Sequence, residues 1–529
     1  MIDPASPDFT NTPVSAQRPH FGYAPADATE RPALSIVTPF FNTGAVFHET
    51  AQSVLQQSLQ QFEWIIVNDA STEPDALAVL DAYRACDPRV RVIDLPANRG
   101  ASAAHNAGVA AAQTDFIVHL DSDDLMEPTT VEKWFWFLTS YQEYGAVTSF
   151  IVHFAARSWL RLNGFEVGRA ILDDNLVDMR CMVRRRVHDA AGGFNEANRQ
   201  GLIDWEYWLR AANAGYWGGT VPELLAWYRR RLGHGKQWPN WRPDGRKAFI
   251  ERMHRDYARL WQKDGFPTVA SRPQLPYADL PDDLPCANLL RRDSPCLLVI
   301  GGADLDLDAL QHAKDGKWET TVAVTEAINN STLARIARDT PDVFVLPNIV
   351  RLVDYPRFLR YLIASRRADV VVLSACTAGY LLLPYLRAWF PALPIVDLCG
   401  DACTQTIARI SLAYHGLLNH TAVAAPDLQQ YLAREHARAV QSPQLGAEIE
   451  PQRDVTGDAS PVPVSRGCAR ASAIQAIEYL RLADAARPAA LPPAPAGTAH
   501  SPARGMLSVA RRLVPAPVKA IVKKAIRRP

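Results

Sequence analysis

T-D-F-I-V-H-L-D-S-D-D-L-M-E-P, residues 114–128, is the stretch on which the reading of this chain turns. Phe116 to Leu120 are mostly apolar and read as a short strand buried on both faces. That strand delivers Asp121, Asp123 and Asp124 at its C-terminal end, and Pro128 marks the start of a helix carrying Trp134, Phe135, Trp136 and Phe137. Carboxylates crowded at one strand end repel each other unless a cation sits among them. Hard oxygen ligands suit Mg²⁺ or Mn²⁺, which commonly bridge a protein carboxylate to substrate phosphates. A solvated acidic turn would carry the same short motif, so the surrounding chain has to decide between the two.

Upstream, order begins at A-L-S-I-V-T-P-F-F-N, with a buried strand over Leu34–Thr38. A helix follows from about Val46 to Gln57, then a strand Phe62–Val67 ending in N-D-A-S-T, a helix Asp75–Arg84 and a strand Val90–Leu95. N-R-G-A-S-A-A-H-N-A-G then leads into a helix of small residues ending near Ala112. Strands alternating with helices at this spacing imply a doubly wound, parallel α/β sheet, whose ligand sits beyond the carboxyl ends of the strands. Polar residues recur at those ends: Asn42, Asn68 with Asp69, Asn98, and Asp121 with Asp123.

The 529 residues allow two or three domains. Lys+Arg and Asp+Glu balance at 56 each, so no global field points to nucleic acid. The eight cysteines (86, 181, 286, 296, 376, 399, 403, 468) form no C-x-x-C pair, the pattern of reduced thiols in a cytosolic setting. The N-terminal residues show neither the basic region nor the apolar region of a signal peptide, and no apolar run reaches the roughly 18 residues of a membrane span. Residues 1–32 read as a flexible arm.

S-I-V-T-P-F-F-N, I-I-V-N-D-A-S-T, N-R-G-A-S-A-A-H-N-A-G and H-L-D-S-D-D-L-M-E-P, in that order, resemble a family-2 glycosyltransferase of the GT-A fold. The resemblance implies a Rossmann-like, mostly parallel mixed sheet over residues 33–262 and inverting transfer of a sugar from a nucleotide-diphosphate sugar. It implies a divalent metal, Mg²⁺ or Mn²⁺, on Asp121 and Asp123. Donor contacts fall on Pro39, Phe41, Asn42, Asp69, Asn98, Gly100, Asn106, Asp121 and His234. Two positions depart from the family pattern: Asn68 stands where a second aspartate is usual, and His105 where arginine is frequent.

The catalytic base is expected in L-I-D-W-E-Y-W-L-R-A-A, which is similar to the family's acidic-pair segment and places the base on Asp204, with Ile203 replacing the partner acid. An inverting displacement needs one carboxylate to take the acceptor proton opposite the leaving phosphate. Flanked by Leu202, Trp205 and Trp208, Asp204 could sit in a semi-apolar pocket that raises its pKa. The competing reading makes it the N-cap of a helix Trp205–Ala214, and Glu206 is the rival base. Arg184–Arg186 and Arg229–Arg231 could neutralise a diphosphate or form a solvated basic surface. Trp217, Trp227, Trp238 and Trp241 could stack on sugars or belong to the core.

Residues 263–295 read as a Pro/Asp-rich linker. A second alternating unit follows over 296–440, with strands at Cys296–Ile300, Thr320–Val324, Val343–Leu346, Val370–Ser374 and Ile395–Asp397, and helices at Leu307–Lys314, Tyr355–Arg366 and Gly379–Phe390. It resembles the N-terminal half of a family-4, GT-B-type glycosyltransferase. No donor lobe follows it, which points to a role in acceptor recognition or assembly. Residues 441–505 are Pro/Ala-rich with one helix, Ala471–Ala486. Residues 506–529 form a basic amphipathic pattern suited to an anionic membrane surface. The whole reads as a peripheral enzyme at the cytoplasmic face of the cell membrane, extending a cell-surface glycan or lipid-linked glycan. The alternative is a catalytically silent glycan-binding scaffold.

Overall fold

A strand that ends in carboxylates has to be flanked by others that bury its apolar faces, and the first sheet is built that way. The computed structural model describes residues 31–231, 238–269, 294–305, 318–399 and 403–423, with Gly22–Tyr23, Leu290–Arg291 and positions 430 and 434. The helix expected at Leu307–Lys314, His234, and the segments expected at 441–505 and 506–529 lie outside the described residues, as do most of the arm and much of the linker. Gly22–Tyr23 pairs antiparallel with Leu290–Arg291, a short ladder not legible in either segment.

The chain divides into two units. In the first, β1 (Leu34–Phe40), β2 (Phe62–Asn68), β3 (Val90–Asp94) and β4 (Phe116–His119) are parallel, as the alternation predicts. The sheet then turns mixed. β5 (Leu125–Met126), β6 (Ala146–Ala155), β7 (Trp159–Arg161), β8 (Cys181–Arg184) and β9 (Gly218–Arg230) complete the order β3-β2-β1-β4-β8-β6-β9-β5, with β7 paired to β6. β8 is antiparallel to both β4 and β6, so it joins the parallel half to the rest. This is the mixed, curled α/β sheet of the GT-A fold.

The helices are α1 (Phe47–Leu55), α2 (Pro74–Tyr83), α3 (Ala101–Ala111), α4 (Thr130–Ser140), α5 (Arg185–Ala191), α6 (Ile203–Asn213) and α7 (Pro243–Asp256). α3 can lie close against β1 because it is built of small residues: a Cβ on Gly108 would sit 2.3 Å from the Val37 side chain. α4 starts two residues after Pro128 and is buried along its whole length, Trp134 to Phe137 included. Phe266 and Val269 pack against the core of this unit, so its packing continues past residue 262.

The second unit is a six-stranded, all-parallel sheet: β10 (Cys296–Gly301), β11 (Glu319–Val324), β12 (Val343–Val345), β13 (Val370–Ser374), β14 (Ile395–Cys399) and β15 (His420–Val423). Its order, β12-β11-β10-β13-β14-β15, is that of a doubly wound Rossmann sheet. α8 (Asn330–Asp339), α9 (Tyr355–Arg366), α10 (Thr377–Trp389) and α11 (Gln405–Ala413) lie between strands. Valines 299, 322, 372 and 396 form the centre of its core. A fully buried ion pair ties α9 to the sheet: Arg366 Nε and Nη2 each donate to Asp342 at 2.8 Å, and the Thr321 hydroxyl donates to the same carboxylate.

Removing one partner of such a pair strands the other charge in the interior. Arg366→Met should therefore destabilise the second unit by about 3–5 kcal/mol, and adding Asp342→Leu should restore much of the loss. Urea titrations read by hydrogen exchange over β11 and α9 measure both. A loss below about 1 kcal/mol for the single variant would show that the pair does not hold the unit.

Candidate active site

The C-terminal ends of β1, β2 and β4, the loop after β3 and the start of α6 open onto one cavity of about 850 Å³. Pro39, Phe41, Asp69, Asn98, Gly100, Asp121, Asp123 and Asp204 all line it. Asp69 is buried and shapes one wall: its carboxylate accepts the Arg99 and Gly100 backbone N–H groups, each at 2.7 Å. Gly100 reaches that position with φ 86°, a conformation that a side chain would strain.

Two expected donor residues lie elsewhere. Asn42 does not line the cavity: its side-chain oxygen accepts the Thr72 and Glu73 N–H groups at 2.8 and 3.0 Å, which fixes the start of α2. Asn106 also lies off the cavity, bonded through its amide to the Phe194 backbone and Glu196. Both are polar because loops need their backbone groups satisfied. Asn68, at a family-aspartate position, bridges Asp94 and the Ser71 N–H and so closes the turn after β2. His234 lies outside the described residues.

The three aspartates after β4 separate in role. Asp121 is half-exposed in the cavity, 3.6 Å from Arg180 and 3.8 Å from His105. Asp123 meets Arg231 at 2.8 Å; burial pushes its carboxyl up, with Arg231 opposing and Asp121 adding to the rise. Asp124 is fully buried, bonded to Arg180 and to the Arg229 N–H, and is structural.

Arg180 was not legible as a site residue. It is buried, pairs with Asp124 and Asp178, and lies 3.9 Å over the Tyr228 ring. The signal available in sequence is the spacing Asp178–Arg180 just ahead of β8, too short to stand out by itself. Behind Asp121 lies a second group that sequence did not reveal, three buried histidines. His105 stacks on Phe194 and shares a 3.1 Å contact with His119 through their Nδ1 atoms, and His119 lies beside His188. Burial pulls His105 down to about 3 and His188 to about 4, and holds His119 well below the ordinary histidine value.

Asp204 sits within the first turn of α6. The residue at the helix start is Leu202, with φ 59°, and no side chain caps the helix, so the N-cap reading of Asp204 does not hold. Gly201, with φ 93°, packs against Trp238 and Trp241, where a Cβ would come within 3.0 Å of the Trp241 indole and the Trp238 Cβ. Asn175 Nδ2 donates to Asp204 at 3.0 Å, and the Trp205 N–H donates at 2.9 Å. Burial raises the Asp204 carboxyl, and these two hydrogen bonds oppose the rise. Glu206 is turned away and buried, bonded to Asn195, Asn198 and Arg252, and does not line the cavity.

The basic clusters and tryptophans divide as well. Arg184, Arg185 and Arg186 donate to backbone carbonyls of α3, α4 and the loops that follow them, away from the cavity. Arg229 donates to the Asp123 carbonyl and pairs with Glu49, whereas Arg230 and Arg231 line the cavity. Trp217 and Trp227 are core, and Trp238 and Trp241 are exposed on the cavity wall.

Residues 35–195 match the family model described as Glycosyl transferase family 2. The chain is 27% identical over 237 residues to TuaG of Bacillus subtilis, a glycosyltransferase assigned to teichuronic acid biosynthesis; the match covers 42% of this chain and 90% of that protein. Over 99 residues it is 35% identical to the glycosyltransferase GlyG of Streptococcus pneumoniae, covering 19% of this chain and 33% of that one. Chondroitin synthase of Pasteurella multocida is 38% identical over 101 residues, 19% of this chain and 10% of the synthase. Apart from TuaG, these relatives are matched over a third of their length or less. Among solved structures, S. aureus TarS residues 1–349 with UDP-GlcNAc aligns at 16% identity and a TM-score of 0.36, covering 43% of this chain and 72% of that one.

Histidines held neutral by burial must be charged when the unfolded chain is protonated. Their folded pKa lies below the unfolded value near 6.5, so the unfolded state binds more protons and stability falls as pH drops from about 6.5 toward 4. Each such histidine contributes up to about 1.4 kcal/mol per pH unit inside that window. Thermal melts between pH 7.5 and 4.5 should show this slope, and His188→Asn should flatten it. An unchanged slope in that variant would remove His188 from the account.

Proposed function

Residues 35–195 form a family-2 glycosyltransferase domain, and we propose that the chain transfers a sugar from a nucleotide-diphosphate sugar, with inversion, to a hydroxyl of a polysaccharide or lipid-linked glycan. The observation that carries this reading is that Asp204 shares one cavity with the Asp69-anchored loop and with Asp121 and Asp123. Asp69, Asn98 and Gly100 form the wall for the nucleotide. Asp121 and Asp123 stand where the diphosphate must lie, and Arg231 and Arg180 bring positive charge to the same end.

Asp121 and Asp123 both line the cavity at one strand end, close enough for Asp121 to add to the rise that burial gives the Asp123 carboxyl while Arg231 opposes it; hard oxygen donors of this kind suit a divalent cation. Asp121 and Asp123 would hold Mg²⁺ or Mn²⁺, which when bound neutralises charge on the leaving diphosphate. Asp204 accepts the proton of the acceptor hydroxyl as the new bond forms. Its raised pKa suits the work, because a base nearer the operating pH takes the proton more readily. Asn175 holds the carboxylate in place.

The relatives' names, teichuronic acid biosynthesis and chondroitin synthase, support a glycan acceptor. Residues 296–440, read as a family-4-like half domain, serve acceptor recognition or assembly, and the basic segment 506–529 keeps the enzyme at the inner face of the membrane. Among the described residues no helix is long and apolar enough to cross a membrane.

Purified full-length protein incubated with a panel of nucleotide sugars and Mn²⁺ should release the nucleotide from at least one, and chelation with EDTA should stop the release. Asp204→Asn should lower turnover by roughly 10²–10⁴ with donor affinity nearly unchanged. The parent's rate should fall with acid through a pKa above the ordinary aspartate value, because the base works only when deprotonated. Wild-type turnover in Asp204→Asn would remove Asp204 as the base, and no release from any donor would remove the enzymatic reading.

Asp123→Asn should abolish metal-dependent nucleotide binding while leaving the melting temperature close to the parent's, since it removes the charge the cation needs. Calorimetry showing equal metal and nucleotide binding in the variant would contradict the metal assignment.

A further inference from the structure

Beyond Asp204 the cavity continues over the face of β7, β6 and β9, where register places three rings in a row. Trp159 pairs with His153 across β7 and β6, and His153 pairs with Tyr228 across β6 and β9. The Trp159 and His153 rings stack nearly parallel, 10° apart with centroids at 3.9 Å, and Tyr228 lies 5.0 Å from His153. All three line the cavity. Trp159 keeps 43% of its surface exposed on this wall of the cavity.

Arg230 is two residues beyond Tyr228 on β9 and so shares its face. Its guanidinium lies 5.2 Å over Trp159 and 5.0 Å over Tyr228. Among the described residues it forms no ion pair, and the adjoining sequence Leu232–Gln237 contains no acid that could supply one. The neighbouring cations are already committed: Arg161 to Asp178, Arg180 to Asp124 and Asp178, and Arg231 to Asp123. Both ring nitrogens of the buried His153 also lack a partner. This end of the cavity therefore combines an apolar stacking face, a buried imidazole and a guanidinium with no ion-pair partner among the described residues.

We infer that the Trp159–His153–Tyr228 row with Arg230 is an acceptor subsite for a sugar residue carrying an oxyanion, a carboxylate or a phosphate. The apolar face of the sugar ring covers the Trp159 indole, which His153 backs, and the planar guanidinium of Arg230 pairs with the oxyanion in a fork. Aromatic stacking alone accepts any sugar, so Arg230 supplies the preference for charge. The inference rests on the glycosyltransferase reading of the same cavity and adds the chemical class of the acceptor.

The test uses the full chain and three probes: a disaccharide ending in glucuronic acid, the same disaccharide ending in glucose, and glycerol 3-phosphate. Saturation-transfer NMR and competition titrations should show the glucuronic-acid probe binding at least tenfold tighter than the neutral one. Binding of glycerol 3-phosphate as well would extend the subsite to phosphate-bearing acceptors; its failure beside a binding uronate would confine it to carboxylates. Arg230→Gln should bring the charged and neutral disaccharides to within about twofold of each other, whereas Trp159→Ala should weaken both. Circular dichroism melts on each variant report that the fold is retained. Equal binding of charged and neutral probes by the parent, binding of none, or an unchanged ratio in Arg230→Gln would overturn the inference. Nucleotide release by the parent in the same samples separates the two failures: release without charge preference sinks only the subsite, and absent release sinks the enzymatic reading.

Discussion

Arg180 is the charge around which the first unit's cavity is assembled. Three carboxylates approach it from different parts of the chain: Asp124 and Asp121 from the turn after β4, and Asp178 from the approach to β8. Without a cation among them, buried acids at one strand end would protonate or push apart. Because Arg180 is itself buried and lies over Tyr228, it fixes β4, β8 and β9 to a common centre. The turn after β4 can then hold Asp124 as structure while leaving Asp121 facing the cavity.

That division of labour explains how a strand end crowded with acid can serve chemistry. Asp69 is likewise committed to the backbone of the Arg99–Gly100 loop, and Asp204 is held by Asn175. Each is held in place by polar partners on the wall of the same cavity. The cost of burial appears as raised carboxyl pKa values at Asp123 and Asp204; at Asp204 that is the direction the proposed general base needs.

Much of the first unit was legible because parallel strands buried on both faces are written as short apolar runs punctuated by polar residues. β1, β2, β3 and β4 could be placed that way, and so could α9 in the second unit, whose bounds are those expected. What was not legible depended on long-range pairing. Asn42 follows a strand end and Asn106 a loop where ligand contacts are expected, yet the Asn42 amide answers the backbone ahead of α2 and that of Asn106, inside α3, answers Phe194, a distinction that pattern cannot make. The Trp159–His153–Tyr228 row comes from three strands paired by register, and Arg180 acquires its partners only when β8 inserts antiparallel between β4 and β6. Leu202 takes a left-handed conformation and starts α6 two residues earlier than the Asp204 cap would have set it. That places Asp204 inside the helix's first turn.

The central claim is that the cavity delivers an acceptor oxygen to the face of the donor sugar opposite the leaving diphosphate, with Asp204 as the base. The configuration of the newly formed anomeric centre reports on this directly. Proton NMR of the first-formed product, from an α-linked nucleotide sugar with Mn²⁺ and either a sugar acceptor or water, should show the β-anomer appearing before any mutarotation. The α-anomer as first product would contradict the account.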